Sequence, residues 1–154
     1  MVAGKGAAKA PKFSIPTTGG GFRLGDQGDM NLVVYFYPRD NTPGCTLEGS
    51  DFRDLAPAFR RARTRILGIS TDTLESHSKF KDKMKFPFEL GSDEDHAVAT
   101  LFGAWRQKNM YGRKMMGIER STFLIDAKGA IRREWRKVRV KGHAGEVLAA
   151  AREL

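Results

Sequence analysis

The run Leu32-Val33-Val34-Tyr35-Phe36-Tyr37 constrains the fold of this chain more than any other stretch. It is too short for a helix and rich in β-branched and aromatic residues, the pattern of a strand buried on both faces. Pro38-Arg39-Asp40-Asn41-Thr42-Pro43-Gly44-Cys45 follows, a loop by its prolines, its glycine and its Asp-Asn pair. Beyond it, apolar residues at Phe52, Leu55, Phe59 and Ala62 mark one face of a helix over about 46–63. Pro57 is expected to kink or split that helix. Cys45, the only cysteine in the protein, therefore falls at a strand–loop–helix junction, in the first helical turn. Unpaired backbone N–H groups and the positive end of the helix dipole favour a thiolate over a thiol there. By residue type alone a single cysteine is more often a small buried hydrophobe, and its placement reverses that reading.

The rest of the chain repeats the strand-then-helix alternation. Residues 1–12 are rich in Ala, Gly and Lys and read as a flexible tail. Residues 13–16 and 19–24 read as a hairpin turned by glycines. A second buried strand is expected at 65–70. Thr71-Asp72-Thr73 can then cap a helix whose inner face is Leu74, His77, Phe80 and Met84. Residues 86–90 read as a short edge-like strand interrupted by Pro87. Ser92-Asp93 can cap a helix carrying Ala97, Val98, Leu101 and Phe102, and residues 107–117 read as a basic loop. A third core strand at 121–125 turns through Asp126-Ala127-Lys128-Gly129 into a partner strand at 130–137. The last helix begins near Gly142 and uses Val147, Leu148, Ala151 and Leu154. The pattern predicts an α/β fold: a mixed central sheet with helices on both faces and an N-terminal β-hairpin, in one domain over residues 13–154.

Composition narrows the function classes. Lys and Arg exceed Asp and Glu by 27 to 18, a formal charge of +9. Nucleic-acid binding is one reading of that excess. The basic residues are scattered, apart from a run at 132–141, and no aromatic-basic RNA signature accompanies them, so a solvated basic surface is the preferred reading. No apolar run approaches the roughly 18 residues that cross a membrane. A lone cysteine cannot form an internal disulfide and fits a reducing cytoplasm.

The same residues exclude other chemistries. Without Cys-x-x-Cys there is no dithiol oxidoreductase motif. His77, His96 and His143 lack metal-ligand spacing, and His77 falls on an apolar helix face as a satisfied core histidine would. None of the three stands in a cysteine–histidine hydrolase signature. Gly19-Gly20-Gly21 lacks the Lys-Ser/Thr of a phosphate loop. Arg120, just before the core strand at 121–125, is a candidate cation for Cys45, against the plain reading of a surface arginine. Thr42, three residues before Cys45, carries a hydroxyl that can donate to a thiolate or a peroxide oxygen, or is only a turn residue. Pro38 and Pro43 stiffen the loop, and a proline beside the sulfur can shield it from water. Glu48 reads first as a stabiliser of the helix N-terminus and second as a holder for an arginine.

Tyr35-Phe36-Tyr37-Pro38-Arg39-Asp40-Asn41-Thr42-Pro43-Gly44-Cys45-Thr46 resembles the active-site segment of the peroxiredoxins, nearest to the bacterioferritin comigratory protein branch. Gly117-Ile118-Glu119-Arg120-Ser121-Thr122-Phe123-Leu124-Ile125-Asp126 resembles the second signature of that branch, and Ser76-His77, Lys79-Phe80 and Pro87-Phe88 also fit it. The resemblance runs from about residue 13 to the C-terminus. It implies a thioredoxin-like fold and thiol-dependent reduction of hydrogen peroxide and organic hydroperoxides without metal or prosthetic group. It implies that Cys45 is the peroxidatic cysteine, Thr42 and Arg120 the peroxide-activating pair, and Pro38 the shield. Thioredoxin or a small thiol would be the reductant. Independently of the resemblance, the complete α/β pattern without a ligand cluster or free-standing apolar segment predicts a monomer, and the lone cysteine a cytoplasmic one. Many members of the branch carry a resolving cysteine five residues after the peroxidatic one, where this chain has Ser50; others carry it near Lys81, where there is also none. A one-cysteine enzyme served by an outside thiol and an engineered Cys-to-Ser replacement at 50 both account for this. The reading from another class is a non-catalytic thioredoxin-fold binding module with a structural Cys45.

Overall fold

A computed structural model describes residues 8–154. Among the described residues seven strands form one sheet, in the order β2 (Gly20–Arg23), β1 (Ser14–Thr17), β5 (Glu89–Ser92), β4 (Thr64–Ser70), β3 (Asn31–Phe36), β8 (Ser121–Ile125) and β9 (Ile131–Trp135). At its centre β3 runs parallel to β4 and antiparallel to β8. β5 continues the parallel half, and β9 pairs antiparallel with β8. The N-terminal hairpin of β1 and β2 closes the far edge.

Strand β3 is apolar at every core position because both its faces are covered. Val33, Tyr35 and Tyr37 pack with Cys45, Phe52 and Phe59 of α1 (Pro43–Arg61), Phe80 of α2 (Leu74–Met84) and Val147 of α4 (His143–Ala151). Leu32, Val34 and Phe36 pack on the opposite side with Phe13, Phe22, Val98 of α3 (Ala97–Leu101), Phe102 and Phe123. A strand in this position loses the polar alternation of a half-exposed one. The mixed sheet with helices on both faces and the N-terminal hairpin matches the expectation from sequence.

Several local expectations are corrected. Residues 107–117 are not a loop: β6 (Trp105–Met110) and β7 (Arg113–Ile118) form a separate antiparallel hairpin, turned by Tyr111 and Gly112, both at positive φ. Its strands are largely exposed, Met115 and Met116 included, so no buried face announces them. Helix α1 runs unbroken through Pro57. Leu154 lies beyond α4 and is exposed. Of the tail expected over 1–12, residues 1–7 lie outside the described residues; from Ala8 onward the chain is held. The Ile131 amide donates to the Ala8 carbonyl at 2.7 Å, the Ala10 amide to the Gly129 carbonyl at 2.8 Å, and Ala10 is buried.

Capping explains two helix starts. Thr73 Oγ1 accepts from the Ser76 amide at the start of α2. For α3 the N-cap is His96, yet Asp93 acts from further back: its two carboxylate oxygens accept from the Val98 and Ala99 amides at 3.0 and 2.8 Å.

Candidate active site

The loop after β3 is short and anchored. Asn41 takes a left-handed φ of 63°, a conformation Asn tolerates, and turns the chain into α1. Asp40 holds the loop down. Its Oδ1 accepts from the Tyr37 hydroxyl at 2.6 Å, and its Oδ2 accepts from the Ser76 hydroxyl and lies 2.8 Å from His77 Nδ1. Burial would raise this carboxyl, but the hydrogen bonds from His77 and Tyr37 and the His77 charge hold it below the usual range. His77 Nε2 faces the Gly91 carbonyl at 2.9 Å, so both ring nitrogens meet acceptors and the histidine is satisfied within the core, as its place on α2 suggested. Asp72 adds a carboxylate that accepts from the Asp40 amide and the Ser70 hydroxyl. Asp40, Asp72 and His77 offer ligand atoms within 4.8 Å of one another. Those atoms are engaged in the network just described, which reads as an anchor for the loop.

Thr42 is the N-cap of α1, and its main-chain carbonyl accepts from the Thr46 amide at 2.8 Å. Its hydroxyl donates to the Arg39 carbonyl at 2.9 Å, so what remains for a ligand is lone pairs rather than the proton expected from sequence. Pro38 is half-buried at the end of β3. Cys45 sits in the first turn of α1 and is only 2% exposed.

Arg120 comes from the connection between β7 and β8. Its carbonyl accepts from the Val138 amide, and the neighbouring Glu119 amide donates to the Ala104 carbonyl, so the backbone is fixed on both sides. Nη2 donates to Cys45 Sγ at 3.4 Å, and Nη1 donates to Glu48 Oε1 at 2.5 Å. The guanidinium thus bridges the sulfur and a carboxyl one turn further along α1. Of the two readings of Glu48, the arginine holder is the one the geometry supports. Burial pushes the Glu48 carboxyl up to about 7 even though the Arg120 charge and hydrogen bond pull it down. Gly44, which sequence reasoning passed over, makes room for this bridge: a Cβ there would stand 3.2 Å from Arg120 Nη2. The part that Glu48 and Gly44 play here is decided by a side chain 72 and 76 positions away.

The buried His143 lies close enough to sense this cluster. The Thr122 hydroxyl lies 2.8 Å from its Nε2. Burial lowers the imidazole to about 4; Glu146 opposes the shift and the Arg120 charge adds to it. The unfolded chain then takes up a proton near pH 6.5 that the folded chain refuses until about 4. Stability from neutral His143 is complete above the upper value and is lost as pH falls to the lower one, on the order of 3 kcal/mol. Glu48 has the opposite sign. Its folded carboxyl titrates at about 7 instead of 4.5, so its contribution is complete at the lower value and is lost as pH rises to the upper one. The two terms nearly cancel across mildly acidic pH. Urea unfolding of Glu48→Gln should therefore lose on the order of 3 kcal/mol between about pH 6.5 and pH 4, where the wild type stays nearly level. A level curve for the variant would show that His143 is not held neutral.

The chain is similar to known proteins over most of its length. The AhpC/TSA family model matches residues 7–134. Peroxiredoxin Bcp of Bacillus subtilis is 44% identical over 147 residues, covering 95% of this chain and 94% of that protein. Peroxiredoxin Bcp of Xanthomonas campestris is 53% identical over 119 residues, covering 77% of this chain and 74% of that protein. Among solved structures, the Xanthomonas campestris bacterioferritin comigratory protein, studied for alkyl peroxide reduction activity, has a TM-score of 0.87 at 46% identity and covers 92% of this chain and 90% of that one. Mycobacterium tuberculosis BcpB has a TM-score of 0.86 at 32% identity, covering 100% and 99%. With a thioredoxin-like sheet, a cysteine in the first turn of α1 and relatives of this similarity over most of its length, the chain belongs to the AhpC/TSA family of peroxiredoxins.

Proposed function

We propose that this protein is a thiol peroxidase that reduces hydrogen peroxide and organic hydroperoxides through Cys45. The observation that carries the proposal is the Arg120 guanidinium, hydrogen-bonded to Cys45 Sγ at 3.4 Å and locked by buried Glu48. A cation beside a sulfur at a helix N-terminus favours the thiolate, which is the nucleophile. The thiolate attacks the terminal oxygen of a hydroperoxide, the S–O bond forms, and the O–O bond breaks. The hydroxyl stays on sulfur as a sulfenic acid, and the alkoxide leaves with the electron pair and takes a proton to become the alcohol. Arg120 and the amides of the first turn of α1 stabilise the charge moving onto the leaving oxygen. Thr42, its proton committed to Arg39, accepts from the peroxide O–H and so orients it. Pro38 limits water around the sulfur.

A thiol then condenses with the sulfenic acid, releasing water and forming a mixed disulfide. A second thiol displaces Cys45 and leaves as the oxidised disulfide. The chain cannot supply that thiol. Ser50, on α1, donates its hydroxyl back to the Thr46 carbonyl at 2.8 Å and carries no sulfur. The reductant is therefore external, thioredoxin or a small thiol, and the enzyme works as a cytoplasmic monomer independent of nucleic acid. Among the described residues no helix is long and apolar enough to cross a membrane.

Peroxide consumption with dithiothreitol, paired with intact-mass spectrometry, tests the reading. Turnover is expected with the dithiol. Without it, the mass of the treated protein should rise by one, two or three oxygens on Cys45, with covalent dimer as a by-product. A protein that neither consumes peroxide nor gains oxygen would overturn the proposal.

A further inference from the structure

The hairpin formed by β6 and β7 folds a lysine back onto the end of β7, two residues before Arg120. Lys108 lies in β6, opposite Met115 of β7. Its Nζ donates to the Ile118 carbonyl at 2.8 Å, two residues before Arg120. Its stem crosses Gly117, where an added Cβ would meet Lys108 Cδ at 3.2 Å; glycine leaves the room that the crossing needs. An ordinary surface lysine would extend into water and keep its side-chain freedom. This one is folded back, half-buried, onto the strand that delivers the active-site arginine.

From this geometry we infer that Lys108 is a positioning residue for the peroxidatic site: it tethers the end of β7 that presents Arg120 and adds a second positive charge to the field at Cys45. The electrostatics agree. Burial and the Arg120 charge lower the Lys108 ammonium from its usual range, while Cys45 and Glu119 pull it back up. An anionic sulfur and Lys108 therefore stabilise each other. The inference rests on the thiolate reading of Cys45 given above. Sequence reasoning missed it because residues 107–117 read as loop, and only the register of the hairpin folds Lys108 onto Ile118.

Three substitutions separate tether from charge. Lys108→Arg keeps both, Lys108→Gln keeps a donor without the charge, and Lys108→Met keeps only the stem. The readouts are the pH dependence of Cys45 alkylation by iodoacetamide and the second-order rate of peroxide reduction. In Lys108→Met the alkylation midpoint should move to higher pH and the peroxide rate fall about three- to tenfold. Lys108→Gln should show the same midpoint shift with a smaller loss of rate, and Lys108→Arg should restore both. Lys114→Met, which removes one charge from the exposed part of the same hairpin, should behave as wild type. A midpoint and rate unchanged in Lys108→Met, with the wild type active, would overturn the role of Lys108 alone. A wild type whose cysteine neither consumes peroxide nor gains oxygen would overturn the thiolate reading beneath it.

Discussion

Replacing Cys45 with serine is expected to reduce peroxide consumption to the rate of the reductant alone, with the fold intact. No second thiol exists to take over. Serine keeps the size of the side chain, and Arg120 can donate to its hydroxyl as it does to Sγ. The buried position is therefore refilled without a cavity, and the change in stability should stay near about 1 kcal/mol. What is lost is ionisation, since a serine hydroxyl is not appreciably deprotonated at neutral pH. Turnover above the reductant background, measured on protein whose thermal unfolding matches the wild type, would remove Cys45 as nucleophile.

Arg120→Ala should slow peroxide reduction by about 10² to 10³, the scale for removing one preorganised stabiliser of transition-state charge. The same change should move the Cys45 alkylation curve to higher pH, because the cation that favours the thiolate is gone. It also leaves Glu48, which is 1% exposed and already has Oε2 without a protein partner among the described residues, with no partner for Oε1. An unpaired buried charge costs about 3–5 kcal/mol, unless the group takes up a proton. The stability loss should therefore grow as pH rises, and Glu48→Gln in the Arg120→Ala background should recover much of it. If rate, alkylation curve and stability are all unchanged, the arginine bridge plays no part in the site.

Both expectations concern residues that sequence reasoning reached, but not to the same depth. The strand at 32–37, the loop of prolines and the helix behind it were legible because each carries a local signal: β-branched apolar content, turn residues, and apolar spacing on one face. Together they placed Cys45 in the first turn of α1, where it is found. The motif around Arg120 was legible as a resemblance. The hairpin of β6 and β7 was not, because its largely exposed strands mix charged and apolar residues without a regular alternation, and its register is set by pairing.

What the chain determined by itself was the α/β layering, the single cysteine and its helix-end setting, all consequences of residue type and short-range order. Tertiary structure alone decided how that sulfur is served. Arg120, 75 positions away, donates to it; Glu48 holds the guanidinium; Gly44 leaves space for it; Lys108 folds back onto the Ile118 carbonyl, two residues before Arg120. Asp40 and His77, 37 positions apart, tie the loop to α2. These contacts arise only when β8 pairs beside β3 and α2 packs over the loop. A charge or a hydrogen-bonding group acts through distance in space, and spacing along the chain does not record that distance.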